Sequence, residues 1–111
     1  MTMVDETVAV CGIERLIPGR GVAALLPDGR QVAIFRTTDD AVYALSNVDP
    51  FGCAAVLSRG IVGDADGVPM VASPLLKQRF DLKTGQCLDD ESVTIRTYEV
   101  SVIDGVVHVS P

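Results

Sequence analysis

One histidine, His108, and three cysteines, Cys11, Cys53 and Cys87, are all that this 111-residue chain offers a soft metal ion. No two cysteines form a C-x-x-C pair, and none stands at zinc-site spacing from the histidine. Their odd number and wide separation also argue against a disulfide framework, so packed free thiols are expected. Basic residues are few as well: nine Lys and Arg against fifteen Asp and Glu, a net charge of −6. They are scattered, with Lys77 and Arg79 alone lying close together. Nucleic acid is excluded as a partner, because a phosphate backbone needs clustered cations. The same charge disfavours an anionic membrane surface. No apolar run approaches the roughly 20 residues of a membrane-spanning helix. The acidic opening Met1-Thr2-Met3-Val4-Asp5-Glu6 lacks the basic start and apolar stretch of a signal peptide. A cytoplasmic protein is expected.

What is present is an apolar fraction of 48%, enough to bury the core of one domain, here taken as residues 1–111. Turn signals punctuate it at short intervals: Pro18-Gly19, Pro27-Asp28-Gly29, Asp39-Asp40, Asp66-Gly67, Thr84-Gly85 and Asp104-Gly105. Between them lie β-prone runs at 22–26, 31–37, 41–46, 68–72, 98–103 and 106–109. The last two flank Asp-Gly, the strongest hairpin signal in the chain. Tyr98, Val100 and Val102 alternate with Glu99 and Ser101, which predicts a half-buried antiparallel strand. Helical signals are confined to one turn near 13–17 and a short segment at 54–59, with Gly60 placed to cap the latter. The fold class is therefore all-β, an antiparallel sandwich or barrel. Residues 47–91 are richer in proline, glycine and loop residues than 1–46 and 92–111. This predicts a β base carrying a smaller, loop-rich inserted lobe.

Three short patterns mimic functional sites and fail on context. Gly19-Arg20-Gly21-Val22-Ala23-Ala24 matches a dinucleotide fingerprint, but no strand precedes it, and Pro27 cuts off the helix that should follow. A turn leading into a strand is expected instead. Asp64-Ala65-Asp66-Gly67 resembles part of a calcium loop, yet Val62 stands where its first ligand belongs and Pro69 and Met70 follow the glycine. It reads as a turn between strands, and Asp89-Asp90-Glu91 as a solvated acidic loop. His108 sits in the last strand, opposite Val107 and Val109, with no orienting partner nearby in sequence. No catalytic residues are expected.

One constellation carries chemistry. Ser73-Pro74-Leu75-Leu76-Lys77-Gln78-Arg79-Phe80-Asp81, with Gly85 beyond it, resembles the second cluster-binding segment of Rieske proteins, Cys-Pro-x-His-Gly-x-x-Phe-Asp and a turn glycine. Asn47-Val48-Asp49-Pro50-Phe51-Gly52, followed by Leu57-Ser58-Arg59-Gly60, is a looser likeness of the first segment, needing one inserted residue. The resemblance implies a Rieske-like fold whose base is 1–46 and 92–111 and whose degenerate cluster lobe is 47–91. A Rieske centre holds one iron by two thiolates and the other by two imidazoles. The corresponding positions here are Asp49, Phe51, Ser73 and Leu76. Phe and Leu cannot ligate, and the oxygens of Asp and Ser suit an iron–sulfur core poorly. Cys53, four residues past Asp49, cannot restore a four-ligand set alone. No metal and no cofactor are expected in this chain.

A cluster-free domain with these three segments, 47–51, 57–64 and 73–85, resembles the small subunits of bacterial assimilatory NADH-dependent nitrite reductases. That likeness implies a partner, a large catalytic subunit carrying FAD, siroheme and an iron–sulfur cluster, which reduces nitrite to ammonium. The tip where a cluster would sit then becomes a candidate partner interface. Pro50, Phe51, Leu75 and Leu76 would form its apolar centre, and Lys77 and Arg79 its rim. Alternatively, Phe51 and Leu76 turn inward and fill the space of the lost cluster. Two other functions stay open at this point: a Rieske-type electron carrier, and a cluster-free docking module of another oxidoreductase.

Overall fold

The computed structural model describes residues 7–111. Eleven strands and two single 3-10 turns make up the described chain, which contains no α-helix. Strands β1 (Val8–Gly12), β2 (Arg20–Leu25), β3 (Gln31–Arg36), β4 (Val42–Ser46), β10 (Thr97–Ile103) and β11 (Val106–Ser110) form one antiparallel sheet. Its order is β1-β11-β10-β4-β3-β2, and it curls into a nearly closed barrel. A short pair, β5 (Val48–Asp49) with β6 (Ala54–Ala55), and a three-stranded sheet of β7 (Ile61–Ala65), β8 (Val68–Ala72) and β9 (Arg79–Asp81) lie outside it.

Strand β3 joins the two parts. Val32, Ala33, Ile34 and Phe35 are all fully buried, which a strand can achieve only with protein on both faces. Val32 and Ile34 enter the barrel core with Leu16, Leu26, Ala44, Tyr98, Val107 and Val109. Ala33 and Phe35 point the other way, into a second core with Leu45, Leu57, Val71, Phe80, Leu82, Cys87 and Ile95. Neighbouring β4 divides likewise, with Ala44 in one core and Leu45 in the other. Burying a ring such as Phe35 or Phe80 stabilises the fold by about 1.5–3 kcal/mol, so this shared wall fixes the smaller sheet against the barrel.

Asp104-Gly105 closes β10 onto β11 with both residues at positive φ (51° and 77°), the backbone that suits a two-residue hairpin. Asp66-Gly67 does the same between β7 and β8, where the Gly67 amide donates to the Asp64 carboxylate, so the calcium-loop mimic is a turn. The dinucleotide mimic is a turn as well: Gly19 adopts φ 86° and β2 starts at Arg20.

Several elements differ from what the sequence alone predicts. Residues 54–59 are not one helix but β6 followed by a 3-10 turn, Leu57–Arg59. Gly60 is not a left-handed cap, since its φ is −71°. It is needed because a Cβ there would lie 2.4 Å from the Ala72 carbonyl oxygen. Alternation along β10 predicts Val102 on its buried face, yet it is 47% exposed. The pairing of β4 with β10 stops at Thr97 and Tyr98, so the far end of the hairpin projects beyond the barrel. Of the cysteines only Cys87 is buried; Cys11 is intermediate and Cys53 exposed.

Candidate functional site

Two loops form the tip of the smaller lobe, one after β5 and one after β8. The first is shaped by Asp49. Its Oδ1 accepts from the amides of Phe51 (2.8 Å) and Gly52 (3.4 Å), while its carbonyl accepts from the Cys53 amide (2.7 Å). This tight turn places Cys53 at φ 53°. The second loop is shaped by Ser73. Its amide donates to the Gln78 carbonyl, its carbonyl accepts from the Lys77 amide, and its Oγ accepts from the Leu75 amide. Lys77 takes φ 63° at the place where the Rieske segment has glycine.

A hydrogen bond joins the loops at their bases: the Ser73 hydroxyl donates to Asp49 Oδ2. Both residues are buried, Asp49 at 0% and Ser73 at 1% exposure. A hydrogen bond buried in a low dielectric is worth more than one at the surface. Farther out, Leu75 rests on Gly52, where any Cβ would lie 2.4 Å from the leucine Cδ1. The loops therefore meet polar at the base and apolar at the tip.

The structure places the expected interface residues differently from one another. Phe51 packs against the second core, its ring 6.3 Å from that of Phe80. Leu75 and Leu76 stand out in solvent, 43% and 61% exposed, and Pro50 and Lys77 are exposed beside them. Phe51 and Leu76, paired in the inward-filling alternative, have thus gone opposite ways. Arg79 is held against Asp89 (2.8 Å), whose carboxyl is driven below its ordinary range first by the Arg79 side chain and then by the Arg79 amide. Ile61, which no sequence motif marks, is 75% exposed. It pairs with Ala72, next to Ser73, while its neighbour Val62 turns to the core. Only the β7–β8 register reveals that proximity.

These side chains do not fit a two-iron cluster. Phe51 and Leu76 bring no donor atom, and Asp49 and Ser73 have spent theirs on each other and on loop amides. Cys53, the one thiol in these loops, is exposed, with its Sγ 3.9 Å from the Pro50 carbonyl oxygen. Among the described residues no three His, Cys, Asp or Glu side chains converge as metal ligands. His108 lies on the barrel instead, its Nδ1 3.1 Å from the Thr7 hydroxyl.

A barrel-like antiparallel sheet bearing a three-stranded lobe, with two loops paired at the lobe's tip, defines a Rieske-type domain. The family model of the Rieske-like [2Fe-2S] domain matches residues 6–110. A nitrite reductase (NADH) small subunit of Salmonella typhimurium is 50% identical over 99 residues, covering 88% of this chain and 91% of that one. A Mycobacterium tuberculosis protein described as an NADH-dependent nitrite reductase small subunit superposes with a TM-score of 0.93 at 50% identity, covering 98% and 97%. A nitrite reductase large subunit of Klebsiella oxytoca is 44% identical over 101 residues, which make up 91% of this chain but 10% of that one. The chain belongs to the Rieske-like domain family, among the small subunits of NADH-dependent nitrite reductases.

Proposed function

We propose that this chain is an accessory, cluster-free subunit of a cytoplasmic NADH-dependent nitrite reductase. It supports the reduction of nitrite to ammonium by a large subunit that carries the FAD, siroheme and iron–sulfur cluster. The observation that carries this reading is the bond between Asp49 and Ser73, which puts the two positions of the Rieske thiolates to structural use. It disfavours an electron carrier, since an atom already bonded at the loop base is not free for iron. The Klebsiella relative supports the pairing, because a domain like this one forms a tenth of a large subunit there.

The docking face in this reading is the lobe tip: Pro50, Leu75 and Leu76 at the centre, extended by Ile61, with Phe51 beneath as a support. Its charge runs against that of the whole chain. Arg59 and Lys77 are exposed there, Arg79 is offset by its partner Asp89, and Asp49 is buried, which leaves the tip two uncompensated cations. An acidic rim around an apolar patch is the complement such a face calls for.

The purified chain is then colourless and free of iron and acid-labile sulfide; a red-brown protein containing both is an electron carrier and overturns the reading. The companion measurement is NADH-dependent nitrite reduction by the large subunit with and without this chain. Unchanged activity and unchanged enzyme stability in its absence would sink the accessory role.

A further inference from the structure

On the barrel two arginines share one tyrosine. The guanidinium of Arg30 lies 5.5 Å from the centre of the Tyr98 ring and that of Arg96 lies 5.1 Å from it. Both line a cleft of about 330 Å3 with Gly29, Gln31, Ser46, Val48 and Tyr98. Attraction between each cation and the ring face holds both guanidinium groups at this cleft.

The hydrogen bonds around the cleft have a common sense. Its side-chain acceptors are occupied: Gln31 Oε1 takes the Asn47 amide group, Ser46 Oγ takes the Val48 amide, and the Tyr98 oxygen takes Arg30 Nη1. Its donors are largely unspent. Among the described residues Arg96 has no carboxylate partner, and the Tyr98 and Ser46 hydroxyl protons and the Gln31 amide protons have none either. Arg30 is steadied by Asp28, which takes its Nε at 2.5 Å and leaves Nη2 available. The walls are rigid, because the backbones of Ser46 and Arg96 and of Asn47 and Gln31 are bonded across strands (2.9 and 3.0 Å). A rigid cleft that offers donors and positive charge and has used its acceptors is made for an oxyanion.

The geometry points to an oxyanion-binding site at Arg30, Arg96 and Tyr98, taking a carboxylate or phosphate group. This does not depend on which enzyme the chain serves. Arg96 is the principal contact, since its fork is unengaged, and Arg30 and the Tyr98 hydroxyl orient the bound group.

The test is a titration of the whole chain with inorganic phosphate and with acetate at constant ionic strength, read on the arginine Nε–H signals by NMR. Saturable shifts at Arg30 and Arg96 are expected with either anion and not with chloride. Arg96→Gln should weaken phosphate binding about tenfold, the loss of a hydrogen bond to a charged group. Arg96→Lys should recover only part of it, because an ammonium cannot grip two oxygens at once. Equal shifts in chloride, or unaltered binding in a folded Arg96→Gln chain, overturns the site. Repeating the titration with the large subunit bound separates two sources of the group. Loss of phosphate binding assigns the site to a partner carboxylate, and retained binding assigns it to a free anion.

Discussion

At the residue scale the informative pair is Asp49 and Ser73. Replacing Asp49 with alanine leaves the buried Ser73 hydroxyl and the half-buried Phe51 amide without their acceptor. A loss of about 3 kcal/mol is expected, the cost of leaving such groups unpaired, read as a lower urea midpoint. Asp49→Asn keeps one oxygen for the Phe51 amide and turns an NH2 toward a Ser73 hydroxyl that can accept. It should lose no more than about half as much. Equal losses in both variants would show that the geometry of these bonds is unimportant. Asp89 offers a pH test. Arg79 lowers its carboxyl in the folded chain, so the stabilisation is complete above the ordinary carboxylate value of about 3.9 and disappears as pH falls through the lowered one. The pair is solvent-exposed, so salt screens it and the effect on global stability is small. The clean readout is the Asp89 titration followed by NMR, which Arg79→Gln should return toward the ordinary range.

At the scale of elements, glycines discriminate between conformation and space. Gly85 has φ 78° and, in addition, the Ile95 carbonyl oxygen stands 2.1 Å from any Cβ built on it. Gly29 has φ 91° but open surroundings. Gly29→Ala should therefore cost about 1 kcal/mol for backbone strain alone. Gly85→Ala should cost about 3 kcal/mol or more, as overpacking is added to strain. Thermal unfolding of the two variants checks the difference. Gly85 was visible in the sequence as a turn glycine of the Rieske-like segment, yet the contact that makes it irreplaceable comes from Ile95, ten residues on. The hairpin at Asp104-Gly105 was fully legible, because its turn chemistry is local. Strand β7 was not, since Gly63 and Asp64 are poor strand formers and only pairing with β8 makes the segment extended. Tertiary context overrode propensity again at 54–59, where a helical reading gave way to β6 and a 3-10 turn.

At the scale of the molecule, the proposed tip separates two roles that the sequence placed together. Phe51→Ala removes a ring from the edge of the second core and should reduce stability by about 2 kcal/mol, less than the loss at a fully buried site. Leu76→Asp puts a charge on an already exposed position, so the melting temperature should barely move. It should instead cut the affinity for the large subunit by about tenfold or more, as an unpaired acid enters an apolar contact. Co-purification and calorimetry of the two variants provide the comparison. Equal binding by wild type and Leu76→Asp would move the interface off the tip.

The linear chain was sufficient for whatever depends on residue identity and short spacing. Asp104-Gly105 marked a hairpin, and Pro74, Phe80, Asp81 and Gly85 carried the likeness to the Rieske segment, with Asp49, Phe51, Ser73 and Leu76 at its ligand positions. Side-chain direction and partnership across the fold required the tertiary structure. It turned Phe51 onto Phe80 and left Leu76 in solvent, joined Asp49 to Ser73 across 24 residues, and brought Ile61 to the tip through its pairing with Ala72. It also gathered Arg30 and Arg96 onto Tyr98. Turn chemistry and donor atoms belong to single residues, whereas each of those contacts depends on strand register and on which core a strand's face meets.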